Sequence, residues 1–408
     1  MSNALLNISM ITNEALMQLK NNLGFAAGVN RQYDDQFGVK GAKIGSVINI
    51  RKPVRYTTTS GAALNLQNVA DQYVPLTLDT QEHVGFQFSS KELELSIDEF
   101  SDRYIKPAVV ALANKIDYDG CQQYLNVFNA VGTPGTAPTT MATALSAGQR
   151  LDENGAPIDD KRMLVVPPSL QTAFLGAGLT LFNDQAELSK QYIRGRMGRA
   201  AGFMWSMDQN MPTHTTGAID GTPLVNSTSA ADGDTQIAFD GTTTASITGA
   251  YKAGDVITFA GVYEVNPQSK VSNGVLKQFV VTADCNASSN AGTVHFSPAL
   301  QSTGQYQNIS ALPANDAAIY LFGAATTYAS KTSPVGMAYH RDAFALGMAD
   351  LPLPGGVDMA ARAKDEDAGL SIRIVRAYDI NNDVFPCRLD VLYGWKTLYP
   401  ELAARVQG

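Results

Sequence analysis

The chain has 408 residues, a net charge of −8 and a pI near 5.1, and 17% of its residues are charged, against roughly 25% in an average soluble protein. An acidic, charge-poor chain is a poor candidate for tight wrapping of nucleic acid. It suits a protein whose surface is covered by copies of itself, though an ordinary enzyme can also have this composition, and the length allows about two or three domains.

The first twenty residues lack the basic start and unbroken apolar core of a secretory leader, so none is expected. Residues 12–22 read as a small amphipathic helix, with Thr12 as cap, Glu14 in the first turn and Gly24 beyond the end. Residues 24–45 are glycine-rich and polar, with little apolar periodicity. They predict an extended arm with no core of its own, ordered only where it lies on something else. Residues 44–88 hold β-like runs: Val47, Ile48, Ile50, Val54 and Tyr56, interrupted by Pro53, then Val74, Leu76 and Leu78, then Val84, Phe86 and Phe88. Around the tip SGAALNLQNVADQ they predict a long hairpin whose apolar runs lack an intrachain partner. Such a hairpin is marginal alone and needs a neighbour. Arg51, Lys52 and Arg55 charge one limb, and Asp71, Asp79 and Glu82 the other end. These charges either solvate the strands and blunt their edges or form ion pairs between subunits.

The stretch Leu95–Phe128 is the strongest helical signal. Ser96 and Glu99 form a capping box and Leu95 and Phe100 a hydrophobic staple. Pro107 restarts the pattern, predicting a short helix to about Tyr104 and a long one from Lys106 to Phe128. Val109, Leu112, Ala113, Ile116, Gly120, Tyr124, Val127 and Phe128 make its apolar face. A mid-helix glycine costs about 1 kcal/mol, so Gly120 predicts a close approach of another backbone. A loop and short helix follow, then a strand Met163–Val166, a helix starting at the prolines, a helix to about Arg194, and a strand through Met204, Trp205 and Met207. From Gly221 to about Ser330 the chain turns Thr-, Ser-, Gly- and Val-rich. QIAFDG, ASITGAY, DVITFAGVYEV, LKQFVVTAD, GTVHFSP and AAIYLFG read as strands of an all-β sandwich or barrel with its two ends close together. The mixed pattern then resumes with PVGMAYHRDAFALGMADLPLP and the strands SIRIVRAYD and FPCRLDVLYGWKTLYP.

Motifs for catalysis are missing. His83, His214, His295 and His340 lie on separate elements, and HExxH, GxSxG, GxxxxGK[ST] and GxGxxG do not occur. His340-Arg341-Asp342 matches a kinase triplet without its companions. Asp232 with Asp234, Asp152–Gly155 and Lys364–Asp367 are solvated turns in preference to calcium loops, because the twelve-residue ligand pattern is absent. Cys121, Cys285 and Cys387 are far apart, with neither a disulfide framework nor zinc spacing, which fits synthesis in a reducing compartment. No run reaches the roughly 18 apolar residues of a membrane span. The triplets at Asn7, Asn226, Asn286 and Asn308 carry no meaning without secretion. Arg194, Arg196 and Arg199 are the densest basic spot. They complement a helix C-terminus, or they contact phosphate or a neighbouring subunit.

The order of arm, long hairpin, long helix, α+β body, β insertion and return to the body resembles the coat proteins of tailed double-stranded DNA phages, the Hong Kong 97-type fold. It is most similar to the branch of the short-tailed Salmonella phage, whose coat protein carries an inserted all-β domain. The resemblance rests on 52–61 (KPVRYTTTSG), 73–117, 198–217 (GRAAGFMWSMDQNMPTHTTG), 252–267 (KAGDVITFAGVYEVNP) and 338–347 (AYHRDAFALG). It implies an α+β fold with an N-arm (1–40), an E-loop hairpin (41–92), a peripheral-domain spine helix (93–130), a peripheral and axial body (131–220 and 332–408) and an insertion domain (221–331). It implies pentamers and hexamers of an icosahedral shell, a scaffolding protein, a portal, and packaged DNA held by weak contact. It implies no catalysis and no cofactor or metal, and it places the protein in the virion after synthesis in the bacterial cytoplasm. Arg31, Asp34 and Asp35 of the arm join Arg51, Lys52, Arg55, Asp71, Asp79 and Glu82 as candidate inter-subunit contacts. Lys43 and Lys52 lie where some relatives form isopeptide cross-links, which this branch is not expected to do. The alternatives are a β-rich tail or adhesin protein and an enzyme with an unrecognised site.

Overall fold

A computed structural model describes residues 3–31, 47–56, 61, 62, 66, 72–89, 104–178, 198–227, 230–365 and 369–408, with side chains from residue 12 onward except at 88, 89, 177 and 178. The chain divides into two units. The first comprises Met1–Arg51, Tyr73–Cys121 and Phe344–Leu398, and the second Lys52–Gln72, Gln122–Ala343 and Tyr399–Gly408.

The first unit is built on one long strand, Val384–Thr397. Thr80–Ser89 pairs antiparallel along most of it, from Val384↔Ser89 to Tyr393↔Thr80. Phe344–Met348 and Leu370–Arg376 also pair with it, and Met359–Asp365 extends the sheet beyond the latter, giving five strands. The helix Lys106–Cys121 packs on Val384–Thr397 and Thr80–Ser89, and the helix Asn3–Asn22 on Met359–Asp365 and Leu370–Arg376. Val109, Leu112, Ala113 and Ile116 are buried beneath the central helix, as their spacing predicts, and Ala108 is buried with them. The helix is shorter than predicted. It ends at Cys121, and Gln122–Asn126 continues as a 3-10 turn. At 1.5 Å per residue its α-helical part spans about 24 Å. The capping box and staple at 95–100 fall outside the described residues. The N-terminal helix starts at Asn3, not at Thr12, which is buried within it.

The first part of the arm does have a core. Leu23, Phe25, Ala26 and Val29 are buried. The Asp117 carboxylate accepts from the amides of Gly24 (2.6 Å) and Ala26 (2.8 Å), and Asn30 bridges to Ala345 at the edge of the sheet. Phe25 packs between Trp395 and Phe344, with ring centroids 5.7 and 5.6 Å away. The neighbour met by Gly120 is therefore not a backbone. A Cβ there would lie 2.6 Å from Trp395 Cζ2 and 2.9 Å from Phe25 Cδ1.

The predicted hairpin is real but shorter. Val47–Arg51 pairs with Tyr73–Thr77, from Val47↔Thr77 to Arg51↔Tyr73. Val84, Phe86 and Phe88 belong instead to the main sheet, opposite Leu389, Cys387 and Phe385. Nor is the hairpin without intrachain support, since Ile50, Leu76 and Leu78 are buried in the subunit. The chain leaves the hairpin over Gly394, where a Cβ would meet the Thr77 carbonyl oxygen at 1.9 Å. Here glycine does mark the close approach of another backbone.

The second unit holds a mixed seven-stranded sheet. Its main path runs Ala130–Gly132, Ala403–Gln407, Thr332–His340, Arg162–Val166, Phe203–Met207, Arg199–Ala200. Thr213–Thr215 pairs with the start of Thr332–His340. The helices Ala142–Glu153 and Pro168–Gly178 pack on it through Ala144, Ala147, Leu151, Leu170 and Phe174, against Leu164, Val166, Phe203, Ala404 and Val406. The strand Ala403–Gln407 was not read from the sequence, nor was Met359–Asp365 in the first unit.

Residues 217–330 form the β-rich part of the second unit. Its six-stranded antiparallel sheet runs Ile319–Leu321, Val256–Val265, Ser272–Val281, Gly292–Ser297, Gln236–Asp240, Leu224–Val225. A bridge between Leu224 and Ala318 joins the two end strands and closes the sheet. Ser246–Tyr251 pairs separately with Cys285–Ser288. Every strand predicted here is present. Inside lie Phe259, Phe279 and Phe296, with mutual centroid distances of 5.2–5.6 Å, among Ile237, Phe239, Tyr251, Ile257, Leu300 and Leu321. The ends meet, because Ser330 N donates to Gly217 O and Thr216 N to Lys331 O, both at 2.9 Å.

Candidate assembly surface

The hairpin alternates, as a two-faced strand pair must. Ile50 and Leu76 turn inward, while Val47 (52%), Tyr73 (63%) and Arg51 on the opposite face are exposed. Beyond Arg51, in the second unit, Lys52 N donates to Gln72 O at 2.8 Å, so the two limbs are still paired there. Lys52 and Arg55 then line a cleft of about 760 Å³ with Phe128, Pro157, Pro298 and Tyr306 among the other lining residues. Both are engaged within the subunit. Lys52 Nζ lies 5.3 Å from the Tyr399 ring centroid, and Arg55 Nη2 is 3.2 Å from Glu401 Oε1. Lys270, whose amine donates to Gln305 O at 2.8 Å, is pushed below the usual lysine value, first by burial and then by Arg55.

The other predicted charges are spread out. Glu82, in the main sheet of the first unit, is 3.8 Å from Lys115, which also holds Asp119 at 2.7 Å. Asp79 is exposed and accepts from its neighbour Thr80. Arg31 is half-buried at the end of the described arm. Asp34, Asp35 and Asp71 lie outside the described residues, as do Arg194, Arg196 and Lys43. Arg199 opens the strand Arg199–Ala200 and pairs with Asp160, which its guanidinium holds below the usual carboxylate range. Each described cation of the hairpin, except exposed Arg51, thus has a partner in its own subunit.

Several of the residues weighed for chemistry are bonded within the chain. Asp232 accepts from Ser302 N, Ser302 Oγ and Thr303 Oγ1 at 2.6–2.8 Å, and Asp234 from Ala231 N. Asp152 pairs with Arg162 at 2.7 Å and His340 with Asp159 at 3.2 Å. Among the described residues no three acidic, His or Cys side chains gather as metal ligands would. Also among them, no helix is long and apolar enough to cross a membrane.

The family described as "P22 coat protein - gene protein 5" matches residues 5–407. The chain belongs to this family. It is a phage coat protein, the major capsid protein from which an icosahedral shell is built. That membership decides against the tail or adhesin reading, and the family is a structural one. Among solved structures the coat protein is similar to a chain of Mycobacterium phage Che8, at 14% identity and TM-score 0.48, over 94% of this chain and 90% of that one. It is also similar to a capsid chain of cyanophage P-SCSP1u, at 12% identity and TM-score 0.44, over 90% and 84%. A procapsid chain of satellite phage P4 follows at 9% identity and TM-score 0.40, over 97% and 90%. No curated protein matches.

Sequence reasoning missed the polar residues that hold the coat protein's β-rich stretch to its sheet. Gln278 clamps Ala130, its Oε1 accepting from the amide and its Nε2 donating to the carbonyl, both at 2.9 Å. Glu264, 3% exposed, takes Lys277 at 2.7 Å and Arg150 at 3.1 Å, and Lys277 sits 4.5 Å from the Phe128 ring centroid. His214 Nε2 pairs with Asp255 Oδ1 at 2.9 Å, and its Nδ1 lies 3.2 Å from Tyr124 Oη. The available signal was charge on strands that should have been apolar: Glu264 and Lys277 interrupt YEV and LKQFVV.

Proposed function

We propose that this coat protein builds its shell as pentamers and hexamers in the Hong Kong 97-type arrangement, with residues 1–40 as N-arm, 41–92 as E-loop, 93–130 carrying the spine helix, 131–220 and 332–408 as the body, and 221–331 as an inserted all-β domain. The observation that carries this reading is the hairpin Val47–Arg51/Tyr73–Thr77. One face is buried in its own subunit and the other presents Val47, Arg51 and Tyr73 to solvent. Tyr56, beyond it, is 63% exposed. Isolated two-stranded ribbons are marginal, so an exposed outer face of this kind, part apolar and part charged, suits the surface of a neighbouring copy. Arg31, Asp34, Asp35, Arg51, Lys52, Arg55, Asp71, Asp79 and Glu82 are the contacts we assign to it. For those already paired within the subunit, assembly exchanges partners.

Scaffolding and portal proteins guide closure, the subunit is made in the bacterial cytoplasm, and packaged double-stranded DNA is held weakly. Net charge −8 opposes the counterion release that dominates non-specific DNA affinity, and Arg194, Arg196 and Arg199 are the local exception. The test is deletion of Thr58–Asp71 followed by electron microscopy. A folded subunit that fails to close shells is expected, because Ile50, Leu76 and Leu78 keep their cover without the tip. Normal shells from the deleted protein would remove the assigned role.

A further inference from the structure

The strand Ala403–Gln407 is buried on both faces. Ala404 and Val406 enter the core under the helices, so Ala403, Arg405 and Gln407 point the other way. Arg405 is completely buried. Its Nη1 donates to the Gly254 carbonyl, and its guanidinium carbon lies 5.8 Å from the Tyr124 ring centroid. Its Nε and Nη2 have no hydrogen-bond partner. Asp255, next to Gly254, is committed elsewhere. Its Oδ1 holds His214, and its Oδ2 accepts from the amides of Gly217 (3.0 Å) and Lys252 (2.8 Å).

Gln407 is also completely buried. Its Oε1 accepts from Ser333 Oγ at 2.6 Å, a distance that fits O–H···O and not N–H···O. The amide is thereby oriented, and Nε2 is left without a partner. Residues two apart on a strand share a face at about 6.5–7 Å. The orphaned groups are thus all donors, they share one face, and they flank a permanent positive charge. An unsatisfied buried donor is costly and rare in native proteins. Burial pushes the Arg405 guanidinium down to about 10, against the pull of Tyr124 and of the Asp255 carboxylate, which favour its charge. A water oxygen accepts from only two donors and would leave the third; a halide accepts from all three.

We propose that Arg405 and Gln407 bind a small inorganic anion of the halide class between the sheet and the turn Lys252–Asp255. The anion accepts from Nε and Nη2 of Arg405 and Nε2 of Gln407, and it joins the two layers where Arg405 already holds Gly254. The probe is chloride. The purified subunit in sodium chloride should show saturable excess chlorine NMR line width that bromide displaces. The excess should vanish in Arg405→Met and persist in Arg199→Met, which alters an exposed arginine. Because Arg405→Met could fail to fold, Gln407→Glu provides the second arm. It tethers a carboxylate beside the guanidinium in place of the anion. This variant should show no excess line width and the same thermal midpoint in sodium chloride as in sodium gluconate of equal ionic strength, whereas the parent melts higher in chloride. Chloride broadening of Gln407→Glu equal to the parent's would overturn the proposal. So would a parent with no saturable broadening and equal midpoints in the two salts, since its donors would then take water alone.

Discussion

Gly120→Ala sets two effects of opposite sign against each other. In the interior of Lys106–Cys121, replacing glycine with alanine gains about 1 kcal/mol of helix propensity. Against this, the added Cβ falls 2.6 Å from Trp395 Cζ2 and 2.9 Å from both Trp395 Cη2 and Phe25 Cδ1. Neither ring can withdraw freely. Trp395 Nε1 donates to the Ile116 carbonyl at 3.1 Å, one turn back on the same helix, and Phe25 is wedged between Trp395 and Phe344. Overpacking of this kind costs about 1–3 kcal/mol. The net expectation is destabilisation of up to about 2 kcal/mol, with a changed environment for Trp395. Gly148→Ala is the control. It sits within Ala142–Glu153, and its Cβ would meet Phe203 at an ordinary 3.5 Å, so the propensity gain should show as stabilisation. The chain's two tryptophans report separately, Trp395 from the first unit and Trp205 from the second. Urea unfolding followed by tryptophan fluorescence reads Gly120→Ala in a Trp205→Phe background and Gly148→Ala in a Trp395→Phe background, so that each signal comes from one unit. A Gly120→Ala subunit more stable than the parent, with unshifted Trp395 emission, would refute the packing around this glycine.

Asp117→Asn should weaken the arm, because it removes the charge from an acceptor of two amides. A loss of roughly 1–3 kcal/mol is expected, read as earlier proteolysis before Phe25 than in the parent. Glu264 should give the second unit an acid-sensitive component. Burial raises its pKa, but Lys277, Arg150 and Asn273 together outweigh burial and leave it below the usual carboxylate value. A depressed folded-state pKa stabilises above the unfolded value, near 4.3, and that contribution is lost as pH falls through the folded value. Glu264→Gln should flatten this acid limb, and an unchanged pH profile of unfolding would refute the pairing. Duplex DNA should bind the free subunit weakly at physiological salt, and a submicromolar affinity would contradict that.

What was legible in the sequence was periodic or compositional. The buried face of the central helix, the β-rich stretch after Gly221 and the hairpin limbs all carry local repeats that one sheet or helix face dictates. The misses have physical reasons too. Cys121 ends the α-helix although the apolar spacing runs on to Phe128, because periodicity records which side chains are buried and the 3-10 turn buries Tyr124 equally well. The arm looked coreless because its anchor, Asp117, lies 91 residues from Ala26. Thr80–Ser89 was read as a hairpin limb because alternation cannot name a strand's partner, which comes nearly 300 residues later in the chain. The charged candidates were chosen by sign and position alone, and pairing with Glu401, Lys115 or Asp160 is decided by tertiary contacts that no local pattern contains.

The β-rich stretch should fold when expressed alone, and the structure says where to cut it. Its core is its own, with the Phe259, Phe279 and Phe296 triangle fully inside. Its outward groups toward the sheet, Lys277, Glu264 and Gln278, are polar, so exposing them does not create an apolar patch. A piece cut at 221–331 nevertheless loses something. Gly217 N donates to Asp255 Oδ2 and Gly217 O accepts from Ser330 N, so the first contact that ties the two ends together lies before residue 221. Thr216 adds a second, through Lys331. A piece spanning 216–331 should therefore unfold at higher urea than one spanning 221–331, with both showing dispersed amide spectra. Phe259→Ala, which empties one corner of the aromatic triangle, should cost either piece about 3–5 kcal/mol, a fifth or more of a typical domain's roughly 5–15 kcal/mol. In the full chain the same substitution should lower the yield of soluble subunit more than it alters any shell that forms. Random-coil spectra from both pieces would show that this stretch depends on the sheet for its fold, and residues 221–331 would then lose their standing as a domain.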